Sequence, residues 1–196
     1  MRQWFSKYKG YVRYIVLHKW YVFVACCHLG IPLRGLLHDF NKLRPSQFFY
    51  YARYFFGANP KTLKGEGKND YRFMRAWFRH QKCSDHHWQY WILPDKRMST
   101  TFGVLRPYES EYEDILRKFD MPRNALLEMI ADWYSAGMVA GKGNNISKWY
   151  RENGDDMILS PRTRQWLDEA VGDIELAQER GVPWDYFSYR WRRDSE

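Results

Sequence analysis

Residues 11–25 read Tyr-Val-Arg-Tyr-Ile-Val-Leu-His-Lys-Trp-Tyr-Val-Phe-Val-Ala, and their spacing decides the fold class. Tyr11, Tyr14, Ile15, His18, Val22 and Ala25 recur at intervals of three and four, near one face of a helix. That helix runs over about 2–28 and stops at Gly30-Ile31-Pro32. Working outward, a second helix is expected over about 33–43, ended by Arg44-Pro45-Ser46. Ser46 is expected to cap a third that ends at Phe56, and Asp70 a fourth from Tyr71 to about Lys82. Ser84-Asp85 opens a short helix holding His86, His87, Trp88, Tyr90 and Trp91. Pro122 suits the first position of a helix from Arg123 to about Met138, with Leu126, Leu127, Ile130, Trp133 and Tyr134 as its apolar stripe. Two more are expected over 146–153 and about 160–180. Residues 57–69 read as a mobile basic loop, and 94–120 as a long loop with a short helix near 112–118. Residues 182–196 read as a segment folding back over the surface. Strand-like alternation is scarce, so the class is all-α. One domain over 1–196 is expected, with a core of about 11–140 and a helical extension over about 145–196.

Composition bounds the rest. The chain has 196 residues, enough for one substantial core. Aromatics make up 19%, with 10 tryptophans and 15 tyrosines, too many for a core of this size to bury entirely. The formal charge of +8 favours anionic partners: a small nucleotide-like substrate or nucleic acid. Cys26, Cys27 and Cys83 make a poor disulfide framework, which points to a reducing cytoplasm. The vicinal pair reads as ordinary core. The apolar run from Trp20 to Cys27 is too short to span a bilayer and reads as a buried core helix, so no membrane is expected.

His18, His38-Asp39, His80, His86-His87 and Asp132 form an ordered series that holds all but one of the histidines. Imidazole and carboxylate together are the ligand set of divalent metals. His18, His38-Asp39, His80 and Asp132 fall on separate expected helices, each with apolar neighbours. On a helix His38 and Asp39 would point about 100° apart, and Asp39 suits a bridge between two ions. His28, about 80° round from His18, reads as a helix-end residue. A local zinc clip from His80, Cys83, His86 and His87 is the bland alternative.

The order His18, His38-Asp39, Asp132 resembles the signature of the HD-domain superfamily of metal-dependent phosphohydrolases. His80 and the His86-His87 pair resemble the two-metal branches, and His38-Asp39-Phe40-Asn41-Lys42 resembles the HDxxK string of the cyclic-dinucleotide phosphodiesterases. The Gly-Tyr-Pro motif of that branch is replaced by Trp88-Gln89-Tyr90-Trp91, so its substrate does not carry over. Over residues 14–160 the chain is also similar to an uncharacterised phage and bacterial family, which brings no activity with it. The resemblance implies an HD-like helical bundle. It implies one metal on His18, His38, Asp39 and Asp132, and a second on Asp39, His80 and either His86 or His87. Mn, Fe, Mg, Zn and Ni all remain open. A metal-activated water would attack a phosphoester, with Lys42, Arg34 or Lys82 holding phosphate oxygens and Trp88 stacking on a base. Glu128, one turn before Asp132, would orient a ligand histidine or accept a proton.

Two rivals follow from the same residues. Some HD-type proteins with this ligand order are dinuclear iron oxygenases. The third reading is a non-enzymatic protein with a structural metal, binding nucleic acid or a partner through its basic aromatic ends. Those ends are Trp4, Lys7, Tyr8 and Lys9 at one terminus and Tyr189, Arg190, Trp191, Arg192 and Arg193 at the other.

Overall fold

A computed structural model describes residues 2–57, 70–94 and 116–192. Residues 58–69, expected as a mobile basic loop, residues 95–115 and Arg193 lie outside the described residues, as do the side chains of Trp4, Lys7, Tyr189 and Arg192. The fold is all-α, with one small antiparallel ribbon.

α1 (Arg2–His28) is the spine. It ends because Gly30 takes φ 79, a left-handed turn that costs glycine little, and Pro32 then starts α2 (Pro32–Leu37). α2 lies hard against α1: a Cβ on Gly35 would stand 2.6 Å from Cys26 Cβ and 2.9 Å from Phe23 Cα. Lys19 binds the carbonyls of Leu36 and His38, closing the end of α2.

The expected helix over 33–43 is broken. His38 is extended, Asp39 is left-handed at φ 55, and Phe40–Leu43 forms a separate 3-10 turn. Aspartate tolerates that conformation better than most side chains. His38 and Asp39 therefore do not share a helix face.

Pro45, not Ser46, starts α3 (Pro45–Phe56), with Arg44 extended before it. α4 (Tyr71–Cys83) is capped as expected: Asp70 accepts from the backbone N–H of Arg72 at 3.0 Å and of Phe73 at 3.3 Å. The short helix expected at Ser84 is a turn carrying His86 and His87, followed by a 3-10 turn Trp88–Trp91. Of the helix expected near 112–118 only 116–118 lie within the described residues, and these form a strand: β2 (Leu116–Lys118) pairs antiparallel with β1 (Ile92–Pro94), Leu93 opposite Arg117.

α5 (Arg123–Val139), α6 (Ile146–Asn153), α7 (Pro161–Glu179) and the short α8 (Ser188–Arg192) complete the chain. Pro122 sits one residue before α5, and Ser160 caps α7 through its bond to Thr163 N–H at 3.1 Å. In the segment expected to fold over the surface, Tyr186 and Arg190 are exposed and Arg190 pairs with Asp173, but Trp191 is buried in the core and donates to Asp173; residues 193–196 lie outside the described residues.

Two apolar clusters result. One joins Tyr11 and Ile15 of α1 to Tyr51 of α3 and Phe73 of α4. The other joins Val22, Ala25 and Cys26 of α1 to α5, α6 and α7. Each fully buried side chain of this size contributes about 1.5–3 kcal/mol. His18 lies on α1 between the two clusters, so both hold its position. The run Trp20 to Cys27 is only partly core: Cys26 is buried, Trp20 is 60% exposed and Cys27 is exposed.

Candidate metal centre

Asp39 stands at the middle of the histidine series, and its two oxygens face different groups. Oδ2 lies 3.3 Å from His38 Nε2 and 4.0 Å from His18 Nε2. Oδ1 lies 3.3 Å from His80 Nε2 and 3.4 Å from His86 Nε2. Asp132 Oδ1 joins the first group, 3.0 Å from His18 Nε2 and 3.6 Å from His38 Nε2. His87 joins the second, its Nε2 2.8 Å from His80 Nε2. Two imidazole nitrogens that close need a proton or a cation between them.

Surrounding residues fix which nitrogen of each ring is available. Ser135 Oγ donates to the His18 carbonyl at 2.8 Å, so it accepts from His18 Nδ1–H, also at 2.8 Å. Glu128 Oε1 accepts from His38 Nδ1 at 2.8 Å and from His86 Nδ1 at 3.0 Å. Asn41 donates to Ser84 Oγ at 2.8 Å and accepts from His80 Nδ1 at 3.0 Å. Each of the four rings thus gives its Nδ1–H to a neighbour and turns Nε2 inward, the arrangement metal-ligating histidines use.

His18 Nε2, His38 Nε2, His86 Nε2 and Asp39 Oδ1 are buried without a hydrogen-bond partner, and Asp39 Oδ2 meets the Lys42 ammonium. Such atoms cost about 1–3 kcal/mol each when left unpaired, so their convergence calls for a ligand. The residues fit a metal. Asp39, His80, His86 and His87 each offer a ligand atom within 4.8 Å of the others, and so do His18, His38 and Asp39.

The charges agree. Burial pushes Asp39 and Asp132 up, but the imidazoles, and for Asp39 also Lys42, outweigh it and hold both well below the carboxylate range. Glu128 is held at about 2, burial being outweighed by its bonds to His38 and His86. Burial lowers His80 to about 2, and with His86 lowers His87 to about 3, so both stay neutral and able to ligate. For His38 the three carboxylates outweigh burial and raise it well above its usual value.

Every residue of the expected ligand series is brought together. Both histidines of the His86-His87 pair reach the second group, where the sequence left one of the two open. Glu128 orients: its oxygens are taken by His38, His86 and Arg34, the last at 2.6 Å. Arg34 also pairs with Asp85, and Lys82 binds the carbonyls of Gln89 at 2.6 Å and Ile92 at 3.1 Å. Both are thus engaged in internal bonds, whereas Lys42 stands on Asp39 Oδ2 itself. Cys83 is exposed and belongs to none of the ligand groups among the described residues, so the zinc clip does not form. His28 lies at the helix end, 3.2 Å from Asp185. Ser135, Asn41 and Ser84 were missed by sequence reading. Ser135 was traceable, because it lies three residues after Asp132 on one helix.

A cleft of about 510 Å3 opens beside the centre, lined by His87 and Asp132 together with Trp77, Trp88, Trp133 and Trp149. No helix among the described residues is long and apolar enough to cross a membrane.

No curated protein and no solved structure matches the chain. A family profile matches residues 7–173, which include every residue of the centre: the chain belongs to the family of unknown function DUF5662.

Proposed function

We propose that this protein is a metal-dependent phosphohydrolase of the HD type, acting on a nucleotide or other small phosphoester. The observation that carries the reading is Asp39: one carboxylate turns one oxygen toward each of two imidazole groups. Two divalent ions are expected, one with His18, His38, Asp39 and Asp132, the other with Asp39, His80, His86 and His87. Sets rich in imidazole suit Mn, Fe, Ni or Zn better than Mg. When bound, such ions supply Lewis acidity and a water acidified toward neutral pH.

The chain's own groups do the rest. Asp132 keeps its side chain 17% exposed and marks the side from which a substrate arrives. Lys42 stays charged, because Asp39 and Asp132 outweigh its burial. It is the cation nearest the bridge, placed to meet oxygens of the phosphoryl group. Glu128 holds His38 and His86 in the ligating tautomer. Trp88 and Trp133 line the cleft with His87 and Asp132 and limit bulk water there. Three free cysteines suit a reducing cytoplasm.

The nitrogen-rich set also suits two irons, so the rival is an HD-type oxygenase. Purified protein should contain stoichiometric metal and release phosphate or a monoester from a panel of nucleotides and cyclic nucleotides. That activity should vanish in His38→Ala and Asp39→Ala. Unchanged activity in those variants, or oxygen consumption without hydrolysis, overturns the reading.

A further inference from the structure

α4 turns His80 inward to the centre and presents a different flank to solvent. On that flank Arg72, Arg75 and Arg79 line a concavity of about 350 Å3 together with Tyr50, Tyr71 and Ser46. No carboxylate lines it, and among the described residues none of the three arginines has a recorded ion pair. Other exposed arginines differ: Arg151 pairs with Glu175 at 2.5 Å and Arg190 with Asp173 at 2.9 Å, whereas Arg13, Arg44 and Arg53 are exposed with no ion pair among the described residues, but none of these lines the concavity. Ser46 lies in the first turn of α3, which has no acidic residue and no side-chain cap, so the helix dipole adds to the positive field.

We infer that this flank of α4 binds a single-stranded nucleic acid segment. Spacings of three and four residues spread the guanidiniums over about 10 Å of helix axis, more than one phosphate can use and suited to a run of phosphates. Arginine matches phosphate with a planar fork of donors. Tyr71, 76% exposed, and Tyr50 supply the aromatic faces on which unpaired bases stack. A pocket of this size takes one or two nucleotides, not the width of a duplex. The site is separate from the metal centre and does not rest on the hydrolase reading. It also moves the nucleic-acid surface away from the C-terminal end, where Trp191 is buried and Arg190 is paired.

The test uses the full chain and a labelled 12-nucleotide oligothymidylate, read by fluorescence anisotropy across a salt series. Three phosphate contacts predict a slope of log affinity against log salt of about −2. Arg72→Ala/Arg75→Ala/Arg79→Ala should remove that slope and lower affinity at low salt at least tenfold. Alanine favours helix at these exposed positions, so α4 is retained, and circular dichroism checks it. Tyr71→Ala, which changes no charge, should weaken binding several-fold. A charge-matched control, Lys148→Ala/Arg151→Ala/Arg162→Ala, removes three cations whose side chains are 74%, 67% and 64% exposed and should bind as wild type does. Equal loss in both triple variants reduces the effect to net charge and overturns the proposal. So does the absence of oligonucleotide binding, a duplex of the same length binding as well, or displacement by pyrophosphate at equal phosphate concentration.

Discussion

The two halves of the centre, divided by the Asp39 carboxylate, are built on different kinds of backbone. On the Oδ2 side, His18 and Asp132 stand in the middle of long packed helices, α1 and α5, and Ser135 locks the His18 ring from within α5. On the Oδ1 side only His80 is on a helix. His86 and His87 come from a turn, supported by Glu128 in one case and by contact with the His80 ring in the other. Rigid helices fix His18 and Asp132 in one half, with His38 entering from the break after α2, whereas the other half takes two of its three histidines from a loop held by second partners. Glu128 ties the halves together, since one of its oxygens receives both His38 and His86.

The comparison breaks most completely at Asp39. Asn at this position tolerates the left-handed backbone but loses the charge that both halves share. Asp39→Asn should lower phosphoester hydrolysis by about a thousandfold or more and leave fewer than two metals by elemental analysis. Glu128→Gln should weaken metal binding in both halves by about 10–100-fold, seen as two shifted steps in a metal titration. A shift confined to one step would show that Glu128 does not couple them.

The Oδ1 half should also be sensitive to acid. His80 and His87 are lowered to about 2 and about 3 by burial, while their unfolded values lie near 6.5. Below pH 6.5 the unfolded chain takes up protons that the fold refuses. Each of the two therefore costs about 1.4 kcal/mol of stability per pH unit as pH falls toward 3. The melting temperature of metal-free protein should drop steadily from pH 6.5 to pH 4, and His87→Gln should flatten that slope. The smallest effects should be local. Ser135→Ala should weaken only the Oδ2 metal, and Asn41→Ala only the Oδ1 metal, each by about tenfold. Ser135→Ala should in addition cost about 1 kcal/mol in thermal unfolding.

What was legible in the sequence follows the same division. α1, α4, α5, α6 and α7 carry periodic apolar faces with nearby caps or glycine stops, so their spans and the inward face holding His18 could be read directly. The break at His38-Asp39 could not, because Leu36, Leu37 and Phe40 continue a helical spacing. Only the packing of α2 on α1 at Gly35 and the left-handed Asp39 end it. That break is what lets one carboxylate face both groups. The turn at residues 84–87 was likewise hidden, since Ser84-Asp85 looks like a helix start. Arg34 looked like a free cation in sequence, and only the fold shows it held by Asp85 and Glu128.

Anomalous diffraction from crystals of the purified protein tests the central claim most directly. Two metal peaks should flank the Asp39 carboxylate, one among His18, His38 and Asp132, the other among His80, His86 and His87. One peak lying away from Asp39, or no metal within ligand distance of it, would contradict the account.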